Sequence, residues 1–153
     1  MLIVTFCGHG DILYSDNTKE ELYTQIENLI IQGADKFLLG GYGNFDLLAA
    51  HTVKDLKNKY PHINSSLVIP YINRSYNQSF YDETVYPPLE NVPLRYAISK
   101  RNQWMIENCD ILICYVYHSW GGAYTTYSYA KKKNKTIINL SVEELLLKRQ
   151  HHY

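Results

Sequence analysis

Short apolar runs of strand length alternate with apolar patterns of helical period along the whole chain. That alternation leaves few folds open. Residues 2–7 (LIVTFC) form a nearly continuous apolar run, the mark of a strand buried on both faces. Residues 17–32 place Leu22, Ile26, Leu29 and Ile30 on one helical face, with Asp16 or Asn17 as N-cap and Gly33 as the stop. Residues 36–39 (KFLL) read as a second strand, and a helix over 45–59 ends before Pro61. Residues 66–72 (SLVIPYI), 110–117 (DILICYVY) and 136–140 (TIINL) supply three further strands, with helices over 94–108 and 123–133. Ser141 and Glu144 make a capping box for a final short helix. Residues 73–93 hold Pro87, Pro88 and Pro93 and keep no period, so they read as an irregular insertion or lid.

Strands that alternate with helices predict a parallel, doubly wound α/β sheet of about five strands flanked by helices. Right-handed crossovers favour the order 3-2-1-4-5. The winding then reverses between strands one and four, and ligands of open α/β sheets bind where the loops splay apart at such a reversal. Glycine is concentrated in the loops that meet there: Gly8 and Gly10 after strand one, Gly40, Gly41 and Gly43 after strand two, Gly121 and Gly122 after strand four. A strand-to-helix turn that binds phosphate needs bare amides and a positive helix end, and side chains would block the approach. The bland alternative is tight turns with no ligand.

With 153 residues the chain predicts one domain over 1–153. Fifteen basic side chains balance fifteen acidic ones, so nucleic-acid binding is not expected. No apolar stretch approaches the roughly 20 residues that span a bilayer. Cys7, Cys109 and Cys114 form no CxxC, and the N-terminus lacks a signal-peptide pattern, so a cytoplasmic location is expected. His9, His51, His118 and Cys7 have no metal-ligand spacing, and neither a metal nor a cofactor is expected. Fifteen tyrosines, five of them between Tyr71 and Tyr96, reflect either base composition or a stacking surface.

The segments TFCGHG, GGYGNFDLLAAH and RNQWM, followed by HSWGGAYTTYSYA, resemble the SLOG superfamily. This is the Rossmann-like fold of LOG phosphoribohydrolases, DprA (Smf) proteins and YpsA-like proteins, and the YpsA branch is the nearest in pattern. The resemblance covers nearly the whole chain. It implies a nucleotide or nucleotide-derived ligand, such as an ADP-ribose-like signal that is sensed or sequestered in bacterial or phage conflict. It also implies a homo-oligomer. LOG enzymes cleave an N-glycosidic bond with an Arg and a Glu. Arg101 matches that Arg, but the Glu position holds Ser128, beside Tyr127, and neither is a carboxylate. A binding protein is therefore expected rather than an enzyme. The alternatives are a LOG-like phosphoribohydrolase with a displaced acid, Asp46 or Glu83, and a DprA-like single-strand DNA binder.

Individual residues carry paired readings. Arg101 either grips a phosphate or forms an ion pair with Glu107 or Asp110. Asn102 either meets a ribose or bonds the local backbone. Asp46 either accepts from a ribose hydroxyl or serves the first turn of its helix. Arg101 and Asp46 are also the candidates for catalysis. His9 and His118 border the site, and His51 reads as packing. Tyr42 and Trp120 can stack on a base or serve contacts. Thr125 and Thr126 offer hydroxyls in the first turn after Gly121 and Gly122. Lys131, Lys132, Lys133 and Lys135 suit a helix C-terminus and solvent. Cys7 reads as a core thiol.

Overall fold

A computed structural model describes residues 1–141. Strands β1 (Leu2–Gly8), β2 (Ala34–Leu39), β3 (Asn64–Val68), β4 (Glu83–Val85), β5 (Ile111–Tyr115) and β6 (Thr136–Asn139) form one sheet of order β4-β3-β2-β1-β5-β6. Every neighbouring pair is parallel. Helices α1 (Asp16–Ile31), α2 (Asn44–Lys59), α3 (Ala97–Glu107) and α4 (Gly122–Lys132) cross between the strands, and a 3-10 turn over Leu94–Tyr96 leads into α3. The five expected strands keep their order, as β3-β2-β1-β5-β6. The sheet extends one strand further at the β3 edge.

Strand period assigns the two faces. Val4 and Phe6 of β1, Phe37 and Leu39 of β2 and Ile113 of β5 join Leu22 and Ile26 of α1 and Ala49 and Val53 of α2 in one core. Cys7, Leu112 and Cys114, one residue out of phase, meet Ile106 of α3 and Ala130 of α4 on the other face. Both faces are covered, which is why β1 and β5 read as unbroken apolar runs. Each large side chain buried in this way contributes about 1.5–3 kcal/mol.

Two local expectations change. The α1 N-cap is Ser15, not Asp16 or Asn17, because the Ser15 Oγ accepts from the Thr18 amide at 3.2 Å. Residues 73–93 are not wholly irregular, since they contain β4. The Asp82 carboxylate accepts from the Ser65 amide at 2.8 Å, and the Asp82 amide donates to the Ser65 carbonyl at 3.0 Å. Lys57 Nζ holds the same carboxylate at 2.6 Å. This clip lays Glu83–Val85 against β3. The helix predicted from the Ser141–Glu144 capping box lies outside the described residues. Among the described residues, no helix is long and apolar enough to cross a membrane.

Candidate functional site

The reversal between β1 and β5 opens a cleft of about 300 Å3 at the C-terminal edge of the sheet. The loops after β1, β2 and β5 reach it, together with α3. Gly8, His9, Gly10, Tyr42, Asp46, Arg101, Asn102, Trp120, Gly121, Gly122 and Thr126 line it, so most of the residues singled out in the sequence converge. Phe6, Cys7, Asp11, Ile98, Met105, His118 and Ala123 complete the lining. Gly40, Gly41, Gly43 and Thr125 are not part of that wall.

The glycines divide into two kinds. Those of the first two loops make room for protein. A Cβ on Gly8 would lie 2.4 Å from the Phe45 ring, and one on Gly40 would lie 2.9 Å from Asp46 Oδ2. The β1 and β2 loops touch directly, and the Asn44 amide donates to the Gly10 carbonyl at 2.9 Å. That bond occupies the first orphan amide of α2. Gly121 and Gly122 differ. A Cβ on Gly122 would meet nothing within 4 Å, and one on Gly121 would meet only His118 Cε1, at 3.9 Å. Gly121, at φ 90°, is the N-cap of α4 and offers no side chain to its first amides. The positive end of α4 is therefore bare and faces the cleft.

Arg101 is only 4% exposed. Its Nη1 donates to the carbonyls of Gly40 and Val68, both at 2.9 Å, and its Nε donates to Asn102 Oδ1 at 2.8 Å. The guanidinium thus ties α3 to the ends of β2 and β3. Neither ion pair foreseen for it, with Glu107 or Asp110, forms. Asn102 spends its Oδ1 on Arg101. Asp46 lies beside this guanidinium, and its Oδ1 is buried without a hydrogen-bond partner. Burial raises the Asp46 carboxyl to about 6, against the pull of the Arg101 charge and the main-chain groups of Tyr42 and Gly40.

One wall is a stack of rings. His9 lies on His118 with centroids 3.7 Å apart, and His118 lies on Trp120 at the same distance with planes 9° apart. The His9 Nε2 accepts from the Tyr117 amide at 3.2 Å, which places any proton of the neutral ring on Nδ1. Burial, then the neighbouring His118, lowers the His9 pKa. The His118 Nδ1 is buried and unpartnered. Trp120 ends the stack at the cleft mouth and is 69% exposed.

The model of the YspA SLOG family (YpsA) matches residues 15–145. The chain belongs to this SLOG family. No curated protein matches it in sequence. Solved structures with the same fold include DNA processing protein A from Helicobacter pylori, described by its single-stranded DNA binding mode. It is 18% identical with a TM-score of 0.61, covering 97% of this chain and 73% of that one. The molybdenum cofactor carrier protein of Chlamydomonas reinhardtii is 14% identical with a TM-score of 0.61, covering 90% and 75%. The molybdenum cofactor binding protein of Rippkaea orientalis is 18% identical with a TM-score of 0.57, covering 98% and 85%.

The remaining candidates of this SLOG chain sort by place. Glu83 is on the edge strand β4, where it accepts from Ser66 Oγ at 2.6 Å and faces Lys36, so it is no displaced acid of the cleft. His51 packs on Phe80 at 4.3 Å, away from the cleft. The hydroxyls of Thr125 and Thr126 donate back to the Gly121 and Gly122 carbonyls, at 3.1 and 3.0 Å. A side-chain hydrogen bond with the Cys114 thiol, followed by burial, holds the Cys7 thiol well above its usual pKa, so it stays protonated on the cleft floor. Lys131 and Lys133 lie over the rings of Tyr127 and Tyr129, while Lys135 donates to the Cys109 carbonyl at 2.8 Å. His118 was visible in the sequence only as a neighbour of the glycine pair. Its place between two other rings carried no sequence signal.

Proposed function

We propose that the cleft binds a nucleotide or nucleotide-derived molecule without turning it over efficiently. The observation that carries this reading is the bare N-terminus of α4 beside an aromatic wall. Three amides at the start of a helix attract a phosphate, and the Gly121–Gly122 pair leaves the space in front of them open. Trp120 offers a flat face for a base, and the unpartnered Asp46 Oδ1 offers an acceptor for a hydroxyl or amino group. The likeness to a molybdenum cofactor carrier and to a DNA-binding protein fits a fold used for holding phosphate-bearing ligands. Such a protein would sense or sequester its ligand, in the cytoplasm and as a homo-oligomer, and an ADP-ribose-like signal in phage defence is the first candidate.

The catalytic alternative has two carboxyls in the cleft lining, Asp11 of the β1 loop and Asp46, whose carboxyl is buried. Asp46 has Arg101 beside it, while the position of the LOG glutamate is Ser128. Single-strand DNA is disfavoured by the balance of fifteen basic and fifteen acidic side chains.

Calorimetric titration with AMP, ADP-ribose, NAD and cyclic dinucleotides tests the reading, with Gly122→Ala as control. Saturable binding of at least one ligand is expected, weakened at least about tenfold by a methyl group in front of the helix end. Absence of binding across the panel, or full affinity in Gly122→Ala, would overturn it. Release of free base from a nucleoside monophosphate would establish the catalytic alternative instead.

A further inference from the structure

None of the five tyrosines from Tyr71 to Tyr96 lines the cleft. Two of them build a ridge outside it. The Tyr71 hydroxyl donates to the Leu94 carbonyl at 3.3 Å, which ties the segment after β3 to the 3-10 turn. The Arg74 guanidinium lies over the Tyr71 ring at 3.9 Å. Tyr76 closes that loop, its hydroxyl donating to the Tyr71 carbonyl at 3.1 Å. On the other side of the Leu94 link, Arg95 lies over the Tyr96 ring at 4.9 Å. About one helical turn on, Ile98 joins Arg95 in the wall of a groove between α3 and α4.

Two features mark this ridge as a surface made to be covered. It is apolar where it meets water: Leu94, Tyr96 and Ile98 are 70%, 48% and 44% exposed. Single exposed apolar side chains are ordinary, but these follow one another along one run of contacts. Its charge is also one-sided. Neither Arg74 nor Arg95 meets a carboxylate within 4 Å among the described residues. Of the acids between Tyr71 and Ile98, Asp82 is held by Lys57 and Glu83 faces Lys36. Stacking on a ring holds each guanidinium in place while its N–H fork stays free for an acceptor.

We infer that the ridge docks an acidic, apolar segment of a partner protein. A large apolar side chain of the partner covers Leu94 and Ile98, and carboxylates on either side of it reach Arg74 and Arg95 as bidentate acceptors. Tyr and Arg are the side chains that carry most binding energy in such contacts. A nucleic-acid backbone would satisfy the two guanidiniums but leave Leu94 and Ile98 facing water. A second copy of this chain, packed on the same ridge across a two-fold axis, would set arginine against arginine. Nothing in this docking depends on what the cleft holds.

The test presents the full chain to random peptides displayed on phage, then titrates the selected peptides by fluorescence polarisation. The selected sequences are expected to carry Asp or Glu on either side of a large apolar residue. Arg95→Glu and Leu94→Ser are expected to weaken them at least about tenfold. Arg74→Glu reads the same contact from the Tyr71 side, should a change at Arg95 disturb the 3-10 turn. Lys132→Glu, at the other end of α4 from Gly122, makes the same change of charge and should bind as the wild type does. Peptides without acidic bias, equal affinity for wild type and both arginine variants, or no selected peptide would overturn the inference. So would either rival occupant: a thymidine oligonucleotide that binds the wild type and not Arg95→Glu while no peptide binds, or a wild-type dimer in sedimentation that dissociates in Leu94→Ser.

Discussion

Gly43 is pressed against Gly10: a Cβ built on Gly43 would lie 2.8 Å from the Gly10 Cα, and Gly43 itself is at φ 90°. This contact sets the distance between the loops after β1 and β2, and so the width of the cleft at that side. It also shows why glycine recurs here for reasons that have nothing to do with a ligand.

Gly43→Ala is therefore expected to destabilise the fold by about 2–4 kcal/mol, from left-handed backbone strain and the clash with a neighbouring main chain. Gly33 supplies the comparison, because at φ 113° its Cβ would meet nothing within 4 Å. Gly33→Ala should cost only the strain, about 1–2 kcal/mol. Urea unfolding of the two variants measures the difference. Equal losses would show that the loop contact is not tight.

Arg101 behaves as a structural cation as much as a ligand. Arg101→Ala strands the carbonyls of Gly40 and Val68, which accept from its Nη1 at 2.9 Å, and leaves Asp46 without its counter-charge. A loss of about 3–5 kcal/mol is expected, as for a buried pair broken on one side. Arg101→Lys should recover only part, since one ammonium cannot reproduce the Nε and Nη1 bonds. Thermal melts settle both values. A surface cation would lose less than about 1 kcal/mol.

Asp46 makes stability depend on pH with an unusual sign. Its folded-state pKa, raised to about 6 from 3.8, means that the folded protein binds the proton more tightly than the unfolded chain. Stability from this group is fully present below the unfolded value and is lost as pH rises through about 6. The swing is up to about 3 kcal/mol, at roughly 1.4 kcal/mol per pKa unit. His9 acts in the opposite sense, because its lowered pKa costs stability as pH falls below the usual imidazole range. Chemical unfolding of the wild type and Asp46→Asn between pH 4 and 7 should isolate the Asp46 slope by difference. A constant difference between the two curves would show that the carboxyl titrates normally.

Trp120 is 69% exposed and stacks on His118, so Trp120→Ala should leave the melting temperature nearly unchanged. Ligand affinity should fall by about 1–3 kcal/mol if the indole stacks on a base. Fluorescence in a Trp104→Phe background reads the same event as quenching of Trp120. Binding with no quenching would move the base elsewhere in the cleft.

Much of the architecture was legible because it is periodic. The apolar runs of β1 and β5 and the apolar faces of α1 and α2 carry their own signal, and the strand order follows from crossover handedness. Strand β4 was not legible. Glu83, Thr84 and Val85 have no pattern of their own and become a strand through long-range pairing with β3, beside the bonds of Asp82 to Ser65. The site was legible in its residues but not in their roles. Glycine density marked the right edge of the sheet, yet only coordinates separate Gly8 and Gly43, which make room for protein, from Gly122, which makes room for solvent. Likewise, the sequence placed Arg101 near the cleft, but its carbonyl partners, Gly40 just past β2 and Val68 at the end of β3, lie 61 and 33 residues away along the chain.

The proposed function requires an anion on the start of α4. Amide NMR of the uniformly 15N-labelled protein, titrated with ADP-ribose, reads that site directly. Saturable shifts are expected, centred on the amides of Gly122, Ala123 and Tyr124, with smaller changes along the β1 loop. Shifts that avoid these amides, or a spectrum unchanged at millimolar ligand, would contradict it.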